Sequence, residues 1–231
     1  MAISWWKNCC ISLLIYTFIT GLLTDVPELP QLGETIRNLY FHVCMWFAMM
    51  IFFIVSVVYA IKYLRGYDLK YDIYSKVFAA VGIFFGVLGY LTGIIWMSYT
   101  WADPNNSTFV SYSAVAREPK LIGTAIALLI YLAYFVLRGA VEDLDKRARI
   151  SAVYNILAFS LLFPTIWIIP RLLPSLHPGR EGNPALNTND IDAGMRVVFY
   201  PAVAGWTLLG VWIAGIKIRI ELLREYKLLK Q

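Results

Sequence analysis

The sequence predicts an all-α integral membrane protein, a bundle of six transmembrane helices with both termini cytoplasmic. The first observation is composition, because the 231 residues are 59% hydrophobic and 16% aromatic, well outside the range of soluble domains. The second is a set of six long stretches without Asp, Glu, Lys or Arg. The third is an uneven distribution of Lys and Arg between the segments that separate those stretches.

The six charge-free stretches approach or exceed the length that crosses a hydrocarbon core of about 30 Å at about 1.5 Å per helical residue. They are residues 8–24, 38–61, 77–102, 121–137, 150–170 and 197–216. All are continuously apolar rather than alternating, which favours helices over barrel strands. We predict one transmembrane domain, residues 1–231, with helices at about 8–24, 38–61, 77–99, 120–137, 150–170 and 197–217. No small-residue cleavage pattern follows the first stretch, so we expect that stretch to be retained.

The basic residues predict the orientation of these helices. The N-terminal segment, the second and fourth loops and the C-terminal tail contain 14 of the 20 Lys and Arg residues. Because basic residues near helix ends stay on the cytoplasmic side, we predict external loops at 25–36, 96–118 and 171–196. The same asymmetry accounts for the pI of about 9.0, so we expect a lipid bilayer and no nucleic acid as partner.

The sequence contains no motif for thiol redox chemistry, covalent haem attachment or nucleotide hydrolysis. Cys9, Cys10 and Cys44 form neither C-x-x-C nor C-x-x-C-H, which argues against a thioredoxin-like carrier and a c-type cytochrome. G-x-x-x-x-G-K-[ST] is also absent. We therefore interpret the three cysteines as structural thiols and do not expect an enzyme.

Two histidines are the most informative residues. His42 lies about one turn into the second predicted helix, and His177 lies in the last predicted external loop. Both are therefore expected at the outer face, where the third helix ends in the aromatic stretch WMSYTWAD, residues 96–103. The His42 face of its helix, at spacings of three or four residues, also carries Asn38, Met45, Trp46 and Met49.

Two neutral imidazoles beside flat aromatic surfaces and arginines suit a metalloporphyrin. The imidazoles would take the axial positions on iron, aromatic rings would cover the porphyrin, and Arg37 or Arg180 would pair with its propionates. A mononuclear zinc site fits less well because it usually requires a third or fourth protein ligand. Alternatively, the histidines are structural, the aromatic stretch is an interfacial belt, and Arg37 is an interfacial anchor.

At these residues the sequence resembles the CcmC family of cytochrome c maturation proteins. This family belongs to a haem-handling group with a tryptophan-rich "WWD" segment, which includes CcmF and CcsA. The resemblance covers nearly the whole chain and is carried by RNLYFHVCMWF (37–47), GIIWMSYTWADP (93–104), LLIYLAYFVLRG (128–139) and LHPG (176–179). It implies that His42 and His177 are the axial ligands of a non-covalently held, b-type haem. The residues that match the tryptophan-rich segment, and would contact haem with Trp46, are Trp96, Tyr99, Trp101 and Asp103.

The resemblance also implies a function. The protein would hold haem at the periplasmic face of the bacterial cytoplasmic (inner) membrane and present it to a membrane-anchored, CcmE-like haem chaperone. ABC-type transporter subunits of the CcmA and CcmB kind and a small CcmD-like membrane protein are the other implied partners.

Two alternatives remain open from the residues alone. A b-type membrane cytochrome would carry electrons, but two histidines on one side allow one haem and no path across the bilayer. A metal-free small-molecule transporter would commonly place ionisable groups at the midplane, and the six stretches contain no Asp, Glu, Lys or Arg.

Overall fold

The computed structural model describes residues 4–28, 32–101, 117–175, 177 and 191–228, with side chains up to residue 224. Its elements are α1 (Trp5–Leu23), a 3₁₀ helix (Gly33–Tyr40), α2 (His42–Gly66), α3 (Leu69–Thr100), α4 (Pro119–Ala140), α5 (Leu144–Phe163), a π-helical turn (Pro164–Ile168), α6 (Ile169–Leu172) and α7 (Ala193–Leu228). Six of the helical segments in the described ranges are long and apolar enough to cross a membrane. The predicted fold class is therefore confirmed, and the orientation of the termini stays a prediction.

Polar caps make three helices start before their charge-free stretches. The carboxylates of Asp68, Glu118 and Asp143 accept hydrogen bonds from backbone N–H groups at the starts of α3, α4 and α5. Such side chains satisfy amides that have no partner within the helix. Glu118 precedes Pro119 at the first helical position of α4, where proline costs no hydrogen bond. This cap also places Glu118 beside the site described below.

The second predicted span, 38–61, begins in a 3₁₀ helix rather than in α2. The α-helix starts at His42, after Phe41 interrupts the regular geometry with φ −113° and ψ −66°. Asn38 therefore does not continue the α2 face, and its predicted alignment with His42 is wrong. The indole of Trp206 on α7 donates a hydrogen bond to the Tyr40 carbonyl at 3.2 Å, which ties the 3₁₀ helix to α7.

The α2–α3 pair forms the centre of the bundle, and glycines allow the two helices to approach closely. A β-carbon added to Gly82 would lie 2.6 Å from the ring of Phe53, and one added to Gly86 would lie 2.9 Å from the sulfur of Met49. Small residues permit such close packing in membrane proteins, where helices gain little from hydrophobic burial against one another.

Buried polar groups join the helices at the end of the bundle opposite His42. Arg138 pairs with Asp72 through two hydrogen bonds of 2.6 and 2.7 Å, and both side chains are only 8% exposed. Further into the bundle, the Asn155 amide donates to the hydroxyls of Ser56 and Ser75 at 2.7 and 2.9 Å. Charges inside a bundle are stable only when paired. The charge-free stretches do not reveal this ion pair because both residues fall just outside them.

Candidate functional site

A cavity of about 310 Å³ lies at the helix ends that the basic residues predict to be external. Apolar side chains make up most of its wall, and the aromatic ones are Trp46, Phe47, Trp96 and Trp167. Among the described residues, the polar side chains in the wall are His42, Glu118, Lys120, Thr124, Arg171 and His177. A mostly apolar cavity with a few polar groups is the usual form of a small-molecule site.

The imidazole of His42 lies between α2 and α3 and is 8% exposed. Its Nδ1 lies 2.8 Å from the Gly89 carbonyl and 3.2 Å from the Thr92 hydroxyl. Since a carbonyl oxygen only accepts, Nδ1 carries the hydrogen and Nε2 carries the lone pair. That lone pair accepts a hydrogen bond from the indole N–H of Trp46 at 3.1 Å. A β-carbon on Gly93 would lie 2.7 Å from Cε1 of His42, so glycine makes room for the ring.

His177 itself is not part of a helix, and side chains from other segments contact it. The Glu118 carboxylate accepts hydrogen bonds from the Ser175 hydroxyl at 2.5 Å and from the Lys120 backbone N–H at 3.2 Å. The Ser175 oxygen in turn accepts from the backbone N–H of His177 at 3.1 Å. We call Glu118, Ser175 and His177 the Glu118 clasp. The Lys120 ammonium on α4 lies 3.1 Å from Nδ1 of His177, so α4 contacts the ring directly, while its cap Glu118 reaches the His177 backbone only through Ser175.

The structure brings the two imidazoles together in the cavity. Their ring centres are 6.4 Å apart, with an angle of 45° between the planes. Two imidazole nitrogens, each about 2.0 Å from one shared metal, can place the ring centres up to about 6 Å apart, so this spacing is compatible with two ligands of one metal. The described residues contain no group of three or more His, Cys, Asp and Glu that could hold a metal ion. Two imidazoles are the donor set that a metal already carrying other ligands would use, as in a metalloporphyrin.

Only some of the aromatic residues predicted for the site line the cavity. Trp96 does, and its ring centre lies 6.1 Å from that of His177 and 6.1 Å from that of Trp101. Tyr99 is a described residue that is 58% exposed and does not line the cavity. Asp103 lies outside the described residues, so its predicted role remains a prediction.

Arg37 is directed toward α1. Its guanidinium donates to the backbone carbonyls of Gly21 at 3.2 Å and Thr24 at 2.5 Å, and it pairs with Glu34 at 2.5 Å. These contacts hold the 3₁₀ helix against the end of α1, and Arg37 is not among the described residues that line the cavity. Arg180, the second arginine predicted for a propionate, lies outside the described residues.

Sequence reasoning missed several residues of the site. Lys120 and Arg171 are the basic residues in the described part of the cavity wall, and the Arg171 guanidinium lies 5.3 Å from the centre of the Trp167 ring. Glu118 was detectable, since an acidic residue directly before a proline is a helix-start signal. Ser175 was not, because its contact with Glu118 joins residues 57 positions apart.

Comparisons with known proteins identify the family. A family model described as "CcmC: Heme exporter protein C" matches residues 1–230. The chain belongs to the CcmC family. It is 25% identical to the Heme exporter protein C of Paracoccus denitrificans over 218 residues, which cover 94% of this chain and 83% of that protein. It is also 25% identical to the Heme exporter protein C of Bradyrhizobium diazoefficiens over 204 residues, which cover 86% and 71% of the two chains.

Membership of the CcmC family confirms the resemblance seen in the sequence. Together with six helices able to cross a membrane, it makes the chain a multi-pass membrane protein with a role in haem handling. It also agrees with the expectation that the chain is a haem-transfer component and not an enzyme.

Proposed function

We propose that this protein holds haem at the external face of the bacterial inner membrane and presents it to a membrane-anchored, CcmE-like chaperone during cytochrome c maturation. The strongest support is that the ring centres of His42 and His177 lie only 6.4 Å apart in a largely apolar cavity. Family membership supports haem as the cargo. The helix ends around the cavity are those that the basic residues predict to be external.

His42 and His177 would hold the haem iron as axial ligands, since iron in a porphyrin accepts two further nitrogen donors. Trp96, with Trp101 beside it, offers aromatic surface for the porphyrin. We assign propionate pairing to Lys120 and Arg171, which line the cavity, in preference to Arg37. A guanidinium matches the geometry of a carboxylate through paired hydrogen bonds.

The protein itself would position haem and would not form or break covalent bonds. By holding the iron at two points and one edge of the porphyrin at Trp96, it would orient the ring for the chaperone's own reactive group. Such positioning can raise the rate of the chaperone's reaction with haem even though this protein takes no part in the bond changes. ATP-driven work would come from ABC-type subunits of the CcmA and CcmB kind, in an assembly with a small CcmD-like protein.

The test uses His42→Ala, His177→Ala and a Trp101→Ala, Asp103→Ala double variant, purified in lipid nanodiscs and loaded with haem. We expect each histidine variant to show an altered optical spectrum and weaker haem retention, because one bond to iron is lost. The double variant should retain the spectrum and transfer haem to the chaperone more slowly. Unchanged spectra in both histidine variants would refute axial ligation, and rapid reduction of the bound haem by quinol would favour an electron carrier instead.

A further inference from the structure

The indole of Trp46 occupies the nitrogen of His42 that a metal would need. Trp46 lies one helical turn after His42 on α2, and its N–H donates to Nε2 at 3.1 Å. The two rings meet edge-on, with centres 5.8 Å apart and an angle of 82° between planes. Both nitrogens of this buried imidazole therefore have partners within the protein, Gly89 on one side and Trp46 on the other.

The two contacts differ in whether they can persist when His42 binds a metal. The hydrogen bond from Nδ1 to the Gly89 carbonyl is the outer contact that orients ligand histidines and makes their other nitrogen a better donor. The hydrogen bond from Trp46 uses the Nε2 lone pair itself. One lone pair cannot accept a hydrogen bond and bind a metal at the same time, so the Trp46 contact and metal ligation exclude each other.

We propose that Trp46 is a placeholder for iron at His42, an inference that rests on the proposed function. Its N–H satisfies Nε2 and fixes the tautomer that keeps the lone pair on that nitrogen, and it withdraws when the iron of haem binds. A buried ring nitrogen without a partner would be costly, so the placeholder stabilises the imidazole in a ready state. In doing so it competes with the cargo.

The packing around Trp46 restricts where the indole can go. A β-carbon on Gly89 would lie 3.1 Å from Cε2 of Trp46, so the indole already lies against the backbone of α3. Its other side lines the cavity. Withdrawal from His42 therefore moves the indole along the cavity wall, where it can contact the face of the porphyrin. Trp46 would thus exchange a hydrogen bond to His42 for a ring contact with the cargo.

The test removes the N–H group and keeps the ring. Replacing Trp46 with benzothienylalanine substitutes sulfur for N–H in a bicyclic ring of similar shape. The matched control is the same replacement at Trp206, whose N–H donates to the Tyr40 carbonyl and which is not among the described residues of the cavity wall. Trp46→Phe serves as a second variant should the first not accumulate.

Two readouts follow each variant of the full-length protein in nanodiscs. One is the rate of iron(III) protoporphyrin IX binding, followed by stopped-flow absorbance. The other needs no haem: diethyl pyrocarbonate acylates an imidazole nitrogen through its lone pair, and mass spectrometry reports its rate at His42. In the Trp46 variant we expect the rate of haem binding and the rate of His42 acylation each to rise roughly two- to tenfold, because one neutral hydrogen bond that competes for Nε2 is lost. The Trp206 variant should match the unmodified protein.

Unchanged or slower reaction of His42 in the Trp46 variant would overturn the placeholder role. Parallel measurement of His42→Ala separates this failure from failure of the proposed function. If His42→Ala alters the haem spectrum while the Trp46 variant behaves as the unmodified protein, only the placeholder is wrong. If both histidine variants keep the spectrum of the unmodified protein, then axial ligation by the histidines and the placeholder role of Trp46 are both wrong.

Discussion

The two histidines of the cavity are held in different ways. His42 is the first residue of α2, is buried, and is fixed by contacts to the backbone of α3 and to Trp46. His177 is half-buried and depends on the side chains of Glu118 and Lys120 and on the hydroxyl of Ser175. Helix packing thus positions the imidazole of His42, whereas the hydrogen bonds described at His177 come from side chains.

This difference predicts a division of labour in haem transfer. Close-packed helices change shape little, so His42 should hold iron in one geometry throughout. A side-chain network can open and close at the cost of a few hydrogen bonds, each contributing about 1 kcal/mol. We therefore expect the bond from His177 to iron to be the one released when haem passes to the chaperone, while His42 remains the fixed reference.

The largest effect should follow from moving the fixed ligand with Gly93→Ala. The added β-carbon would lie 2.7 Å from the His42 ring, and overpacking of this kind typically costs about 1–3 kcal/mol. We expect haem affinity to fall at least about tenfold, the equivalent of 1.4 kcal/mol. Haem titration in nanodiscs measures it. Gly215→Ala is the matched control, because a β-carbon there meets no atom within 4 Å, and an affinity equal to the control would show that the His42 ring is not tightly placed.

A smaller effect should come from opening the Glu118 clasp. Glu118→Ala removes the acceptor for Ser175 and for the Lys120 amide, so we expect haem to dissociate about three- to tenfold faster, as for the loss of one or two hydrogen bonds. Glu118→Gln keeps an acceptor oxygen and should recover most of the loss. Haem dissociation into a large excess of apomyoglobin provides the rate. Equal rates for Glu118→Ala, Glu118→Gln and the unmodified protein would show that the Glu118 clasp does not help to retain haem.

The smallest effect on haem binding should distinguish Arg171, in the cavity wall, from Arg37, which contacts α1. Arg171→Gln should weaken haem binding by about two- to fivefold, since an exposed pair between guanidinium and carboxylate contributes up to about 1 kcal/mol. Arg37→Gln should change haem binding less than twofold and lower thermal stability instead, because its partners are on α1 and in the 3₁₀ helix. Repeating the titration with the haem dimethyl ester tests the cause: the Arg171 effect should vanish, and its persistence would contradict propionate pairing.

The sequence predicts much of this architecture because bilayer thickness limits what an apolar stretch can do. Runs without charge identify the six spans, and the order of those spans already places His42, Trp96 and His177 at one end of the bundle. The position of Trp46 was also predictable from the sequence, since a residue four positions after His42 must share its helical face. These inferences depend only on local periodicity and on counting helices.

Contacts between distant segments were beyond such reasoning. The ion pair of Asp72 and Arg138 joins residues 66 positions apart, and no local pattern selects one partner among many. Arg37 illustrates a second limit, because it lies one residue before the predicted helix, and the 3₁₀ helix found there has the Arg37 side chain in contact with α1. Positions near helix ends depend on the exact start of the helix, which sequence periodicity does not define.

We propose that a rigid His42 and an adjustable His177 bind the same haem iron. Chemical rescue of His42→Gly and His177→Gly by added imidazole, read from the optical spectrum of the haem-loaded proteins, tests it most directly. We predict that both variants lose the spectrum of a bis-imidazole haem and that imidazole restores it in both. Half-buried His177 should be replaced at the lower imidazole concentration, and His42, enclosed by α3 and Trp46, at the higher one. Variants that keep the original spectrum without imidazole, or need equal concentrations of it, would contradict the account.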